Sequence, residues 1–445
     1  MQKRIFSLLL CLVVLFSLIG CRSENPAQTT DNSQPSTQAT TIQTDPTTET
    51  TLPATDPTFP EETTPPATEP PVAEETVLWT PICNEFINMR ATPDSNNVLA
   101  QVPVGAALTL LQWSGKYALV TYGDMQGYVA SNYIKPIDED YFAKRLQVVV
   151  PVDQYTYDQM WADMSALQSK YPQIANISVI GYSEEGRKIP VLQIGNPDAP
   201  RHVLMQGAMH GREYMTAWIL MAIADYALSQ GQLADGAVCY HIIPMSNPDG
   251  VIISQTKTLN ETQQAIYRSD LALGYTNASA SVYAEQWKAN ALGVDLNRNF
   301  SSGWEVSLEH ISPSSEKFRG SGPFSVTESM ALRDYTLQYD FSATVSVHSH
   351  GSVIYYQYGT KQPVNDLSYN LALAVKEVTG YTPLGYDGTT GAGYKDWAMD
   401  ALGIPSLTLE TGTWYTPMPR QELYNTFYRC ENLIPAINQW LADTE

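Results

Sequence analysis

The stretch Val203-Leu204-Met205-Gln206-Gly207-Ala208-Met209-His210-Gly211-Arg212-Glu213-Tyr214-Met215 decides how the larger part of the chain is read. The run Val203 to Gln206 has the length of a buried strand, and the apolar segment that follows, Met215 to Ser229, has the length of a helix. Between them lies a turn with a histidine and a glutamate three residues apart. The same alternation continues outward. Cys239 to Pro244, Ala343 to His348 and Ser406 to Glu410 are predicted strands, and Asp158 to Lys170, Thr327 to Gln338, Leu367 to Val378 and Arg420 to Leu441 are predicted helices. Strands alternating with helices predict an α/β domain, a sheet with helices on both faces and its chemistry on the loops at strand ends.

The chain has only six histidines. His210 opens the turn just quoted, and His348 ends another predicted strand in His348-Ser349-His350-Gly351. Two imidazoles and a carboxylate, His210, Glu213 and His348, form a zinc-binding set that leaves a fourth position open for water. Zinc hydrolysis also needs a base to take the proton of the attacking water. Glu410 ends the strand Ser406 to Glu410 with no neutralising neighbour in sequence, which makes it the candidate. The alternative is a group of polar strand ends without chemistry.

The order His210-x-x-Glu213, Asn247-Pro248-Asp249-Gly250, Gly293-Val294-Asp295-Leu296-Asn297-Arg298-Asn299-Phe300, Gly322-Pro323-Phe324-Ser325, His348-Ser349 and Glu410 resembles the zinc carboxypeptidase family, from about Tyr155 to Leu441. The resemblance implies a mixed sheet flanked by helices, one zinc ion per catalytic domain on His210, Glu213 and His348, and Glu410 as general base. It implies that Asp295 orients the first histidine ligand and that Asn297 and Arg298 grip a substrate carboxylate. Arg212 matches an outer-subsite arginine. The oxyanion cation of the family is an arginine after a tryptophan; this chain has Trp287-Lys288, so Lys288 is the candidate and Arg268 the alternative. Tyr386 is the nearest match to the family's mobile tyrosine, and His350 stands where many relatives have a tyrosine.

In Gly391-Ala392-Gly393-Tyr394-Lys395-Asp396-Trp397, Lys395 occupies the position that floors the side-chain pocket in the family. A cation there favours a substrate ending in carboxylate, with diaminopimelate, glutamate and aspartate as candidates; the alternatives are a lysine facing solvent or paired with Asp396. This run also resembles the bacterial branch of the family that cuts the γ-D-glutamyl bond to a diamino acid in wall peptides.

Residues 78–137 contain short alternating segments, Phe86 to Arg90, Val98 to Val102, Leu108 to Leu111, Tyr117 to Tyr122 and Gly127 to Val129, which predict a small β-barrel. The order Asn88-Met89-Arg90, Pro103-Val104-Gly105, Trp113 and Gly127-Tyr128-Val129 resembles the bacterial Src-homology-3 (SH3) family, which implies peptidoglycan binding; a spacer that binds nothing is the alternative. Residues 1–21 have a charged start, an apolar run of about 15 residues, too short for a spanning helix, and Leu18-Ile19-Gly20-Cys21. This pattern resembles a bacterial lipobox and implies a lipid-bearing Cys21 and an extracytoplasmic, lipid-anchored protein at the cell wall. Residues 22–77 are rich in Thr, Pro and acidic groups, a composition that cannot bury enough surface to fold and is expected to be a disordered stalk. The catalytic domain is expected over 150–443.

Of 445 residues, 46 are acidic and 25 basic, for a net charge of -21. Nucleic acid and anionic membrane surfaces are excluded as partners, since both demand a basic patch; the membrane is reached only through the lipid anchor. Ten of the acidic groups fall between 22 and 78 and describe the stalk rather than the site. Cys83, Cys239 and Cys430 have no CxxC spacing, so neither a cysteine zinc site nor a disulfide framework is indicated. The expected substrates are peptidoglycan stem peptides or other peptides. A general extracellular metallocarboxypeptidase and a non-catalytic wall-binding lipoprotein are the competing readings.

Overall fold

A computed structural model describes residues 78–444, apart from 82–84, 115–116, 131–132, 138–139, 390 and 413–414. The expected export signal, Cys21, the stalk and Cys83 lie outside the described residues.

Seven strands come first: β1 (Leu78–Pro81), β2 (Phe86–Arg90), β3 (Val98–Pro103), β4 (Leu108–Ser114), β5 (Tyr117–Tyr122), β6 (Met125–Ala130) and β7 (Ile134–Pro136). They pair in the order β3-β2-β6-β5-β4-β1-β7, each pair antiparallel. Alternation along β2 sends Ile87 and Met89 inward to meet Val102, Leu108, Val120 and Val129, as a half-buried strand requires. β1 and β7 are additions to the five strands expected from the sequence.

The remaining elements are α1 (Tyr141–Arg145), α2 (Tyr157–Lys170), β8 (Ala175–Tyr182), β9 (Lys188–Gly195), β10 (Arg201–Gln206), α3 (Met215–Ser229), β11 (Val238–Ile243), α4 (Pro248–Thr256), α5 (Glu261–Leu273), α6 (Ala280–Glu285), α7 (Thr327–Thr336), β12 (Phe341–Ser349), β13 (Val353–Tyr355), α8 (Val364–Thr379), β14 (Thr382–Leu384), α9 (Tyr394–Leu402), β15 (Ser406–Thr411), α10 (Leu423–Cys430) and α11 (Leu433–Asp443). They build an eight-stranded mixed sheet in the order β14-β13-β15-β12-β10-β11-β9-β8. Its centre, β15-β12-β10-β11, is parallel; these are the four strands expected from the sequence. β9 runs antiparallel to β11, and β8 antiparallel to β9.

Parallel strands are buried on both faces: β10 and β11 carry apolar runs, whereas β12 and β15 alternate, Val345, Val347, Leu407 and Leu409 entering the main core while Thr344 and Ser346 on the other face are satisfied by Ser406 Oγ and Gln206 Nε2 at 2.8 Å. α3 is buried almost all round and joins the main core with β10, β11, β12, α8, α10 and α11. The expected helix Arg420 to Leu441 is instead two helices. Pro435 lacks an N–H and its ring crowds the carbonyl four residues back, at Glu431, so the chain breaks there and restarts with the proline in the first turn of α11. Cys239 and Cys430 are buried free thiols. No helix among the described residues is long and apolar enough to cross a membrane.

Where the chain enters the α/β domain, one buried carboxylate holds it. Asp225 Oδ2 on α3 accepts the backbone N–H groups of Gln147, Val148 and Val149 at 2.8, 2.7 and 2.9 Å. Asp225→Ala leaves these donors without an acceptor. Each unmade buried hydrogen bond costs about 1–3 kcal/mol, so the substitution is expected to lower unfolding stability by about 3 kcal/mol or more in urea titration. A change under about 1 kcal/mol would show that the clamp is dispensable.

Candidate active site

The three central parallel strands β10, β12 and β15 end together, and the rare residues gather at their carboxyl ends. His348 and Glu410 face each other directly in the β12/β15 register. β10 pairs with β12 on the other side and runs into the tight turn Gly211–Glu213 that carries His210 and Glu213.

Close backbone contact fixes that turn. Gly211 N donates to Lys288 O at 3.0 Å and Arg212 N to Trp287 O at 2.8 Å. A Cβ on Gly211 would lie 2.3 Å from the carbonyl carbon of Gly250, so no other residue fits without displacement. The Asn247-Pro248-Asp249-Gly250 motif is therefore part of the scaffold. Asn247 Nδ2 donates to the carbonyls of Met209, Lys288 and Ala289 at 3.1, 3.1 and 3.0 Å. Asp249 accepts from Ser183 Oγ at 2.7 Å, Glu185 N at 2.9 Å and Arg187 Nη1 at 2.7 Å.

His210 Nδ1 lies 2.8 Å from Glu213 Oε1, and His348 Nδ1 lies 3.0 Å from Glu213 Oε2. The three ligand atoms are within 4.8 Å of one another, and all three residues are buried. Burial opposes charge on Glu213, yet the imidazoles of His210 and His348 hold its carboxyl well below the usual carboxylate range. His210 Nε2 turns to Asp295 Oδ1 at 3.2 Å. Asp295 Oδ1 also accepts Asn297 N at 3.0 Å, and Oδ2 accepts Lys317 N at 2.9 Å. Asp295 thereby begins the turn Leu296–Arg298 that carries Asn297 and Arg298. Burial pushes the Glu410 carboxyl up to about 7, against the pull of His348. Two imidazoles thus stand among three carboxylates, with both Nδ1 atoms and a carboxylate converging on one centre. That donor set suits a zinc ion, and the Asp295 contact is the outer partner that a ligating histidine requires.

Beside this centre lies a cavity of about 280 Å³ lined by Asn297, Arg298, Tyr355, Gln357, Tyr358, Tyr386, Gly391, Gly393, Lys395, Asp396, Thr408 and Glu410. Four of the substrate-binding candidates from the sequence therefore share one cleft with Glu410. Lys395 is buried, its Nζ donating to Asp396 Oδ1 at 2.6 Å and Gln357 O at 3.0 Å. Arg298 pairs with Glu309 at 3.3 Å, and Tyr386 is exposed on the rim. Lys288 is outside the lining, paired with Glu316 at 3.5 Å, but near enough to draw down Glu410 and Asp295. Arg212 Nη1 donates to Gln286 Oε1 at 3.0 Å. Arg268 is on the exposed face of α5 and His350 is exposed at the end of β12; neither lines the cavity. Sequence reasoning missed Tyr355, Gln357, Tyr358 and Thr408. Thr408 was within reach, since a period of two puts it on the same face as Glu410, and Tyr355 is its partner in the β13/β15 register. A larger cavity of about 510 Å³, lined by Leu78, Ile137, Phe142 and Tyr424 among others, shares no residue with this site.

The zinc carboxypeptidase family model (Peptidase_M14) matches residues 160–438. The chain belongs to the zinc carboxypeptidase family. It is 29% identical over 290 residues to gamma-D-glutamyl-L-diamino acid endopeptidase 1 of Lysinibacillus sphaericus, covering 62% of this chain and 69% of that protein. It is 24% identical over 318 residues to carboxypeptidase B of Astacus astacus, covering 65% and 97%. The crystal structure of thrombin activatable fibrinolysis inhibitor superimposes with a TM-score of 0.53 at 18% identity, over 73% of this chain and 90% of that one, a likeness of fold. As a zinc carboxypeptidase family member the chain is a metallopeptidase of a zinc-dependent family.

The Gly211–Gly250 contact can be tested directly. Gly211→Ala must move the turn that bears two donors, and is expected to leave the dialysed protein with clearly less zinc than the wild type at unchanged far-UV circular dichroism. Gly322→Ala, whose Cβ would meet nothing within 4 Å, is the matched control. Equal zinc content in the two variants would overturn the account.

Proposed function

We propose that the protein is a lipid-anchored, extracytoplasmic zinc peptidase that hydrolyses the γ-D-glutamyl–diaminopimelate bond of peptidoglycan stem peptides. The observation that carries this reading is the Lys395–Asp396 pair, 2.6 Å apart on the lining of the cleft that also holds Asn297, Arg298 and Glu410. The far end of diaminopimelate carries an ammonium and a carboxylate. A fixed pair of opposite charges complements that zwitterion, whereas a lone carboxylate meets Asp396 as well as Lys395. The name of the Lysinibacillus relative supports the same substrate class.

In this reading Asn297 and Arg298 grip the carboxylate next to the cut, the guanidinium exchanging Glu309 for substrate. A zinc ion held by His210, Glu213 and His348 supplies Lewis-acid polarisation of the scissile carbonyl and lowers the pKa of water. Glu410 takes the proton of the attacking water and returns it to the leaving amine. Lys288, with Arg212 nearby, offers positive charge to the developing oxyanion. Tyr386 covers the substrate from the rim. The seven-stranded sheet is the SH3-like module that holds the enzyme to wall, and Cys21 bears the lipid.

A general metallocarboxypeptidase is the second reading, favoured by the Asn297–Arg298 corner, which suits any free C-terminal carboxylate, and by the carboxypeptidase B relative. Turnover of a muropeptide ending in free diaminopimelate, beside peptides ending in Glu or Phe, separates the two. Faster cleavage of the Phe peptide would end the wall reading. Lys395→Met is expected to raise KM for the muropeptide by about 10–100-fold, the loss of one charge-assisted hydrogen bond of about 1.5–3 kcal/mol, with little change for the Phe peptide. Glu410→Gln is expected to abolish turnover while zinc is retained; a variant with near-normal turnover would remove Glu410 as base. Glu410 works deprotonated, so kcat/KM falls as pH drops through its pKa. A bound dication lowers that value from about 7, which places the acidic limb at or below about pH 7; a limb well above it would point to another group.

A further inference from the structure

Apart from the catalytic donors, one other group of metal-ligating side chains converges among the described residues: His202, Cys239 and His241. It lies at the opposite end of the central strands from the cleft. His202 is the second residue of β10, while Cys239 and His241 are the second and fourth of β11. In the parallel register His202 faces Cys239, and Leu204 faces His241. The period of two along a strand then puts all three side chains on one face of the sheet.

Their donor atoms lie within 4.8 Å of one another, and His202 Nδ1 is 2.9 Å from His241 Nε2. The outer side of the His241 ring is tied to the protein: His241 Nδ1 is 2.7 Å from Tyr335 Oη, with Gln193 Nε2 at 3.4 Å, and the Ala199 backbone is a polar neighbour of the His202 ring. An imidazole with one nitrogen tied in this way presents the other in a fixed direction, which is how ligating histidines are oriented. Here the presented His241 nitrogen points at His202 Nδ1 beside a fully buried free thiol.

We propose that His202, Cys239 and His241 form a second metal site, for a thiophilic divalent cation such as zinc, distinct from the catalytic centre. Two imidazoles and a thiolate match zinc and exclude magnesium or calcium, which take oxygen ligands. Binding forms two nitrogen–metal bonds and one sulfur–metal bond. The thiol proton leaves to solvent, and the proton now between the rings moves to His241 Nδ1, where Tyr335 Oη receives it. The facing nitrogens open from 2.9 Å to roughly 3.3 Å, the separation of two ligands about 2.0 Å from a tetrahedral ion. His202 is only half-buried, which gives the ion its path in and a place for water as fourth ligand. The metal fastens the amino ends of β10 and β11, the first of which delivers His210 at its other end. This site stands whether or not the substrate reading above is correct.

The test is cobalt(II) exchange of the purified full chain. The wild type is expected to bind two equivalents and to show a thiolate-to-cobalt absorption band in the near ultraviolet. The catalytic donors include no sulfur, so that band reports the second site alone. His348→Ala is expected to keep the band while losing one equivalent. Cys239→Ser is expected to lose the band and one equivalent while keeping metal at the catalytic centre. Should the serine variant fail to fold, His202→Gln, altering a half-buried ligand, must abolish or shift the band in the same way. One equivalent and no band in the wild type, or a band that survives unchanged in both Cys239→Ser and His202→Gln, overturns the proposal.

Discussion

Holding charge out of water is the constraint around which the α/β domain is arranged. Glu213, Asp295 and Glu410 come together with two imidazoles at the ends of three parallel strands, and a buried charge is tolerated only when it is paired and hydrogen-bonded. Glu213 is shared between His210 and His348. Asp295 takes His210 and two backbone N–H groups. Glu410 has fewer such partners, and its carboxyl is the one that burial pushes up. The group left least satisfied is the one suited to exchange a proton near neutral pH.

Asp295 couples two tasks that are separate in sequence. One oxygen fixes the His210 ring and also accepts Asn297 N, so the orientation of a candidate metal ligand and the start of the turn bearing Arg298 depend on one carboxylate. From there the constraint passes to the cleft. Asn297 Oδ1 accepts Tyr394 N at 3.2 Å, at the N-terminus of α9. A Cβ on Gly393 would stand 2.5 Å from Asn297 Oδ1, so the glycine is what lets α9 approach. Asp396, on the first turn of that helix, accepts Gly393 N through one oxygen and Lys395 Nζ through the other. The charged pair in the cleft is therefore held by the same backbone that holds Asn297.

The parts of the fold that were legible in sequence are those whose burial is uniform. β10 and β11 are mostly apolar runs, β12 and β15 put Val345, Val347, Leu407 and Leu409 at alternate positions with both faces covered, and α3 is apolar almost all round because it is enclosed. β8 and β9 did not stand out, for different reasons. β8 is an edge strand whose Val179 and Tyr182 stay exposed, so its short apolar alternation does not mark a buried face, while β9 contains Pro190, which weakens a strand reading. β13 and β14 are three residues each, too short for any period to show. In the site, His348 and Glu410 were legible because a polar residue ending a strand is conspicuous, and His210 and Glu213 because they sit three apart in the turn that follows one. Tyr355, Gln357 and Tyr358 were not, because their place in the cleft follows from how β13 pairs with β15.

Lys395 shows where a residue-by-residue reading of charge falls short. Taken singly it makes the cleft cationic. Beside Asp396 it makes the cleft dipolar, and the two arrangements select differently: a net positive floor rewards any carboxylate, while a fixed dipole rewards a ligand that carries both signs in matching order. Arg298 is likewise compensated, by Glu309 at 3.3 Å, but there the acid is half-exposed, so solvent screens the pair and an incoming carboxylate can replace it at small cost. The buried pair resists such exchange because separating its charges in a site shielded from water is expensive. In the proposed reading, selectivity then rests with the pair that does not open, and general affinity for a carboxylate with the one that does.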